Sequence, residues 1–334
     1  MSRVVEASAP TRIDLAGGTL DIWPLTVIVP GAITVNVAVD LRATARVRPL
    51  AGDVARIRSR DRRAQARFRV PLRPEDAAGP LALLARLTAA FGVADGFELV
   101  TRAEAPAGAG LGGSSALGVA AGAALARFTG ERVGRSALLR RVGNVEAVEI
   151  GVPTGNQDHL AALHGGLAAY HHGFDGTVRE GIPVPRGLEE RLVLAYTGEP
   201  RGSGFSNWEM FRRTVEGDPG ARRRMRAIAR ISRGMRAALR EGDLEAAGRL
   251  LGEEGRLRYG LAGSVATRRI LAVDGAARRA GALGAKVCGA GGGGCVVALC
   301  REGRRDAVAE AMERAGARVL PVRIARKGLI VIES

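Results

Sequence analysis

The stretch Pro106-Ala-Gly-Ala-Gly-Leu-Gly-Gly-Ser-Ser-Ala116 decides how the rest of the chain is read. A strand-like run, Gly96-Phe-Glu-Leu-Val-Thr-Arg-Ala-Glu104, leads into it, and a small-residue apolar run, 117–127, leads out as a helix. Strand, glycine loop and helix start make an anion site. Glycines let the backbone bend freely and approach a ligand closely. The free N–H groups and dipole of a helix start favour a phosphate there. Ser114 and Ser115 add hydroxyls for a phosphate oxygen or a metal ion. No Lys closes the loop as a Walker A motif requires, and the Rossmann spacing is absent. Taken alone, the loop also reads as a plain helix start with Ser as its cap.

Working upstream, Ala9-Pro-Thr-Arg-Ile-Asp-Leu-Ala-Gly-Gly-Thr-Leu-Asp21 fits a short strand ending at Gly17-Gly18, with Arg12 at one end and Thr19 and Asp21 on a loop at the other. Residues 33–48 read as a longer strand, 54–60 as a weak one and 80–92 as a helix. Ser136 to Ile150 is amphipathic and carries Glu146 and Glu149. Gly151-Val-Pro-Thr-Gly-Asn-Gln-Asp158 is a punctuated turn that places Asp158 at a helix start, where an N-terminal helix position explains Asp equally well. Strands follow at 166–173 and 190–197, then a polar loop 197–203 that could reach a substrate, then a run of helices over 205–280. Gly284 to Cys300 reads as strand, polyglycine turn, strand, which implies a backbone passing very close to something. A helix (303–315) and edge strands close the chain.

Four segments together, Ala9–Asp21, Pro106–Ala116, Gly151–Asp158 and the polyglycine turn of Gly284–Cys300, resemble motifs of the GHMP kinases. Pro106–Ala116 resembles that superfamily's ATP-phosphate loop, P-x-x-x-G-L-G-S-S-A. The first segment resembles the galactokinase signature A-P-G-R-V-N-L-I-G-E-H-T-D at the same Arg-to-Asp interval, with Gly18-Thr19 replacing its Glu-His. That replacement is closer to the A-G-G-G-T-D run of heptose-phosphate and fucose kinases. Mevalonate kinases tend to carry Lys where Arg12 stands, so Arg12 points to the sugar branch. The turn ending at Asp158 resembles the galactokinase G-x-P-C-G-I-M-D-Q and the heptose kinase G-K-Q-D-Q.

The resemblance implies an α+β, two-layer architecture. Residues 1–180 would form an ATP-binding half like ribosomal protein S5 domain 2, and residues 181–334 a ferredoxin-like half, with the active site in the cleft between. It implies transfer of the ATP γ-phosphoryl group to a hydroxyl, anomeric in a monosaccharide or sugar phosphate. Pro106, Gly108, Gly110, Leu111, Gly112, Gly113, Ser114, Ser115 and Ala116 would hold ATP. Ser115 and Glu146 would hold Mg²⁺. Asp158 would orient or deprotonate the acceptor, and Arg12 would pair with it and offset developing charge. Thr19, Asp21, Gly155, Gly291 and Gly292 would line the acceptor site. The rival expectations are a mevalonate-type kinase or decarboxylase and a non-catalytic ATP/sugar sensor.

Composition bounds these expectations. The chain has 334 residues and is 46% hydrophobic, enough for one large or two ordinary domains with a substantial core. No apolar run approaches the ~18 residues of a membrane span, and no basic n-region with an h-region opens the chain. Cys288, Cys295 and Cys300 lack C-x-x-C spacing and a nearby histidine pair, so a reduced, cytoplasmic protein without structural zinc is expected. The net charge of +16 would suit nucleic acid. Only Lys286 and Lys327 are lysine, however, so the excess is Arg, scattered apart from Arg222-Arg-Arg-Met-Arg226, which reads as a solvated helix face, and aromatic content is 4%, leaving few rings to stack on bases. No nucleic-acid or membrane partner is expected, and the oligomeric state is left open.

Overall fold

The computed structural model describes residues 4–200, 205–260 and 264–334. In the first hundred residues, alternating apolar positions become strands. β1 (Val5–Ala16) pairs antiparallel with β2 (Ile33–Pro49), and the bend between them carries the short helix α1 (Leu25–Ile28). β1 alternates in burial over its first residues, and everything from Ala9 to Ala16 is then buried, because a second layer covers that end. Arg12 and Asp14 are therefore polar residues in an interior. β3 (Val54–Ser59) and β4 (Ala64–Arg69) form a hairpin, followed by α2 (Ala82–Ala90) and β5 (Phe97–Ala103). Next come α3 (Gly113–Phe128), α4 (Arg135–Ile150), α5 (Gln157–His164) and the hairpin β6 (Leu167–Gly173) and β7 (Gly176–Ile182).

The long β2 serves two neighbours. Its residues 33–37 pair with β6 and its residues 43–49 with β5, so the eight-stranded sheet forks and curls. Helix α3 is buried on almost every face from Ser115 to Ala126, as its small apolar residues require. Gly118 and Gly122 let α4 approach closely: an added Cβ would lie 2.7 and 2.9 Å from the Val142 methyls. One core fills the space between the large sheet and α2–α4, around Ile57, Leu84, Leu99, Val119 and Val142.

The chain then passes through α6 (Leu188–Arg191), β8 (Leu192–Tyr196), α7 (Phe205–Val215), α8 (Pro219–Glu241), α9 (Leu244–Tyr259) and α10 (Arg268–Ala280). Asp218, Asp243 and Thr267 cap the last three by accepting a backbone N–H three residues on. It ends with β9 (Ala282–Val287), β10 (Cys295–Cys300), α11 (Arg305–Arg314), β11 (Arg318–Leu320) and β12 (Ile330–Glu333). The antiparallel order β11-β8-β10-β9 is the ferredoxin-like arrangement. A second core lies between this sheet, α8, α9 and the inner end of β1–β2, around Ile13, Val35, Leu194, Leu251 and Val297. β12 returns to pair with β1, and β7 runs across residue 180, so the two halves are tied through the large sheet. Among the described residues no helix is long and apolar enough to cross a membrane.

The α+β reading holds. Several short elements, α1 among them, differ from the sequence expectation. β4 and β7 lie where no strand was expected, and residues 188–191 form a helical turn, so β8 starts at Leu192 instead of residue 190. Of the polar loop 197–203, residues 201–203 lie outside the described residues.

Candidate active site

The four motif segments meet in a cleft of about 590 Å³ between the layers. Arg12, at the covered end of β1, ties its parts together. Its backbone N–H donates to Leu111 O at 3.0 Å. Its buried guanidinium donates from Nη1 to Gly110 O at 2.7 Å and from Nε to Asp158 Oδ1 at 2.8 Å. Burial works against this charge, and Asp158, then Asp14, outweigh it.

Gly108, Gly110 and Gly112 all have left-handed backbone, with φ of 70, 78 and 70°. At Gly110 a Cβ would lie 2.5 Å from Cys288 O, and at Gly112 it would press on the Asp158 side chain at 3.0 Å. Only glycine fits either place. α3 then starts at Gly113, its first-turn residues Gly113, Ser114 and Ser115 line the cleft, and the N–H groups of such a first turn have no intrahelical partner, which suits phosphate oxygens. The polyglycine segment supports this loop from behind: Cys295 N–H donates to Ala109 O at 2.8 Å, and a Cβ on Gly294 would lie 2.7 Å from that same oxygen.

Glu146, on α4, faces the start of α3. Ser114 Oγ donates to its Oε1 and Ser115 Oγ to its Oε2 at 2.8 Å. His159 Nε2 lies 2.9 Å from Oε2 as an ion-pair contact without the alignment of a hydrogen bond. Burial would raise this carboxyl, but His159 and the two serines hold it at about 2. Burial likewise opposes the His159 charge, and Glu146 restores it, leaving the imidazole above its ordinary value.

At the other side of Arg12, Asp21 is buried and accepts the Gln157 N–H at Oδ2, 3.0 Å. Burial pushes it up to about 6, against that hydrogen bond. Gly155 lies against it so closely that a Cβ would fall 1.9 Å from Oδ2. Thr19 is buried and has φ 83°, unusual for a β-branched residue.

The structure thus brings Arg12, Thr19, Asp21, Gly155, Asp158, Glu146 and the loop from Pro106 to Ser115 to one cleft. Three expected residues are not there. Ala116 is buried beneath the first turn of α3, its N–H closing on Gly112 O at 2.9 Å. Gly291 and Gly292 turn away from the cleft. A Cβ on Gly291 would strike Val265, and Gly292 N–H donates to Val265 O at 2.9 Å. At Gly291 glycine is required by packing against the segment before α10, while neighbouring Gly289 and Ala290 reach the cleft. Sequence reasoning missed His159, which stood beside Asp158 with nothing to link it to Glu146. It also missed the buried Asp14, Glu254, Arg258 and Lys286. Glu254 and Arg258 have the i, i+4 spacing of an ordinary solvated helix pair, which conceals their burial.

A glycine-rich loop at a helix start, an Arg–Asp pair with a buried guanidinium and a serine-bound carboxylate share one cleft, an arrangement that suits phosphoryl transfer of the small-molecule kinase class. Residues 80–166 match the GHMP kinases N terminal domain and residues 235–318 match GHMP kinases C terminal. The chain is 32% identical over 243 residues to a mevalonate kinase from Pyrococcus horikoshii, covering 71% of this chain and 69% of that protein. It is 31% identical over 239 residues to a galactokinase from Mycobacterium bovis, covering 62% and 65%. The crystal structure of a D-glycero-D-manno-heptose 1-phosphate kinase from Bacteroides thetaiotaomicron shares the fold, with a TM-score of 0.76, 22% identity and 98% of each chain covered. The chain belongs to the GHMP kinases. Members of this family are ATP-using small-molecule kinases, and the named relatives differ in acceptor.

Proposed function

We propose that this chain transfers the γ-phosphoryl group of ATP to a hydroxyl, at the anomeric position, of a monosaccharide or sugar phosphate. The observation that carries the acceptor class is the pairing of charges at that end of the cleft. Among the described residues three arginines line the cleft: Arg12 is committed to Asp158, Arg258 to Glu254 with Asp14 beyond it at 3.9 Å, and Arg62 donates to Pro80 O at 2.9 Å. What remains to face an acceptor is the Asp21 carboxylate and the Thr19–Gly18 loop. Carboxylates accept hydrogen bonds from hydroxyls, whereas an acceptor carboxylate needs a free cation.

Asp158 would take the proton of the acceptor hydroxyl as its oxygen bonds to the γ-phosphorus and the bond to the ADP oxygen breaks. Arg12 would hold Asp158 in line and offset charge on the transferring group, and the first turn of α3 would hold the phosphates. The cradle fits such a ligand: serine hydroxyls and the backbone of the glycine loop line it, and a Cβ on Gly113 would meet no atom within 4 Å. Ser115 and Glu146 would hold Mg²⁺, which neutralises phosphate charge when bound. Among the described residues no three His, Cys, Asp or Glu side chains form a cage, in keeping with a cation held by one or two protein oxygens and the phosphates. Glu146 would exchange its serine hydrogen bonds for the cation.

The second reading, a mevalonate-type hydroxy-acid kinase, is favoured by the 32% identity to the archaeal relative. ADP release across galactose, fucose, heptose 7-phosphate, homoserine and mevalonate separates the two. Turnover on one sugar is expected, because a site built to pair a hydroxyl rejects analogues lacking it. Turnover on mevalonate alone would contradict the sugar reading, and turnover on none would favour a sensor.

A further inference from the structure

Four charged side chains lie wholly inside the protein behind the acceptor loop. Lys286 Nζ, on β9, contacts Asp14 Oδ2 at 3.0 Å and also Glu254 Oε2. Arg258 Nη2 donates to Glu254 Oε1 at 2.8 Å, both on α9. None of the four side chains is more than 1% exposed. The helix comes near enough because Gly248, Gly252 and Gly255 face β9: a Cβ on Gly255 would lie 2.9 Å from Ala285 O.

Such a cluster is a poor stability device. Apolar residues of the same volume often do as well or better. Its hydrogen bonds go instead to the loop that ends in Asp21. Glu254 Oε1 accepts the Gly17 N–H at 3.3 Å, Arg258 Nη2 donates to Gly18 O at 2.8 Å, and Arg258 Nη1 reaches Thr19 Oγ1 at 3.5 Å. The loop is pressed onto the cluster, since a Cβ on Gly18 would fall 2.5 Å from Asp14 Oδ2 and 3.2 Å from Arg258 Nη2. Thr19, held at φ 83°, is the strained point, and such strain persists only where surroundings over-determine it.

We propose that Glu254, Arg258 and Lys286 are positioning residues through which the C-terminal layer sets the geometry of acceptor loop 17–21. The acceptor role of that loop rests on the kinase reading above; its mechanical dependence on the cluster does not. The test uses the full chain with Arg258→Met and the milder Arg258→Lys, which keeps the charge beside Glu254 and drops the fork to the loop. Amide exchange over residues 13–23 should rise about tenfold or more in both, with α3 and β8–β10 unchanged. With the acceptor found by the panel, Arg258→Lys should raise its KM about tenfold or more while the KM for ATP stays within about twofold. Unchanged exchange over 13–23, or exchange rising equally everywhere, would overturn the proposal, as would equal changes in both KM values. If wild-type protein turns over no acceptor, the kinase reading fails and the exchange result still decides the positioning role.

Discussion

Asp21 is a carboxylate that burial has pushed up to about 6 and that the proposed chemistry needs ionised. The sign of its linkage follows. The folded state binds this proton more tightly than the unfolded chain, so Asp21 costs stability as pH rises from its ordinary range through about 6. Asp21→Asn should therefore raise stability at pH 7–8 by on the order of 2–3 kcal/mol, seen as a higher melting temperature, while flattening the change between pH 4 and 6. The same variant should weaken acceptor affinity far more than ATP affinity. A melting temperature that drops at neutral pH would contradict this account of Asp21. Glu146 has the opposite sign: held at about 2, it adds stability that is present above its ordinary range and lost as pH falls toward 2. Glu146→Gln should lower the melting temperature at pH 7 and raise the Mg²⁺ concentration needed for half-maximal turnover. Unchanged Mg²⁺ dependence would remove Glu146 from the metal site.

At the scale of elements, the site depends on how closely backbones approach. Gly112 ends the phosphate loop at φ 70° and lies against Asp158. Gly112→Ala should cost about 1–3 kcal/mol by denaturant titration and weaken ATP binding, because the strain and the displaced Asp158 fall in one place. Wild-type ATP affinity in that variant would show that the loop does not need its left-handed turn. This dependence on glycine is why much of the site was legible in the sequence. Glycine runs at strand–helix junctions mark backbone approach directly, and they pointed to the α3 start and to the segments that carry Arg12, Asp21 and Asp158, whereas Glu146 rested on the family's spacing alone. The same signal misled at Gly291 and Gly292, where the close neighbour is Val265 and not a ligand. β4, with its exposed arginines on an outer strand, carries no apolar run to betray it. The Asp14–Lys286–Glu254–Arg258 cluster was hidden for a different reason. Its members are 272 positions apart in the case of Asp14 and Lys286, and only the packing of α9 on β9 and against β1 unites them.

For the whole molecule, the +16 charge is carried by arginines spread over the surface and concentrated on the outer side of α8. Many are engaged locally: Arg236 and Arg240 with Glu180, Arg141 with Glu131, Arg191 with Glu245. Binding to a defined DNA or RNA should thus be weak and gone by physiological salt, because pure phosphate contacts are screened. Tight, salt-resistant binding would show that the basic surface has a partner. The large-scale organisation serves a different end: the forked sheet supplies Arg12 and the strand before the glycine loop, α3–α5 supply the helix-start N–H groups and the carboxylates, and the ferredoxin-like layer packs on loop 17–21. The central claim is that these parts converge on Asp158 as the group that accepts the hydroxyl proton. Single-turnover rates and ATP affinity of Asp158→Asn, beside wild type and on the acceptor that wild type uses, test it most directly. The account predicts a rate lower by about 10²–10⁴ with ATP affinity retained. A near-normal rate in Asp158→Asn would contradict it.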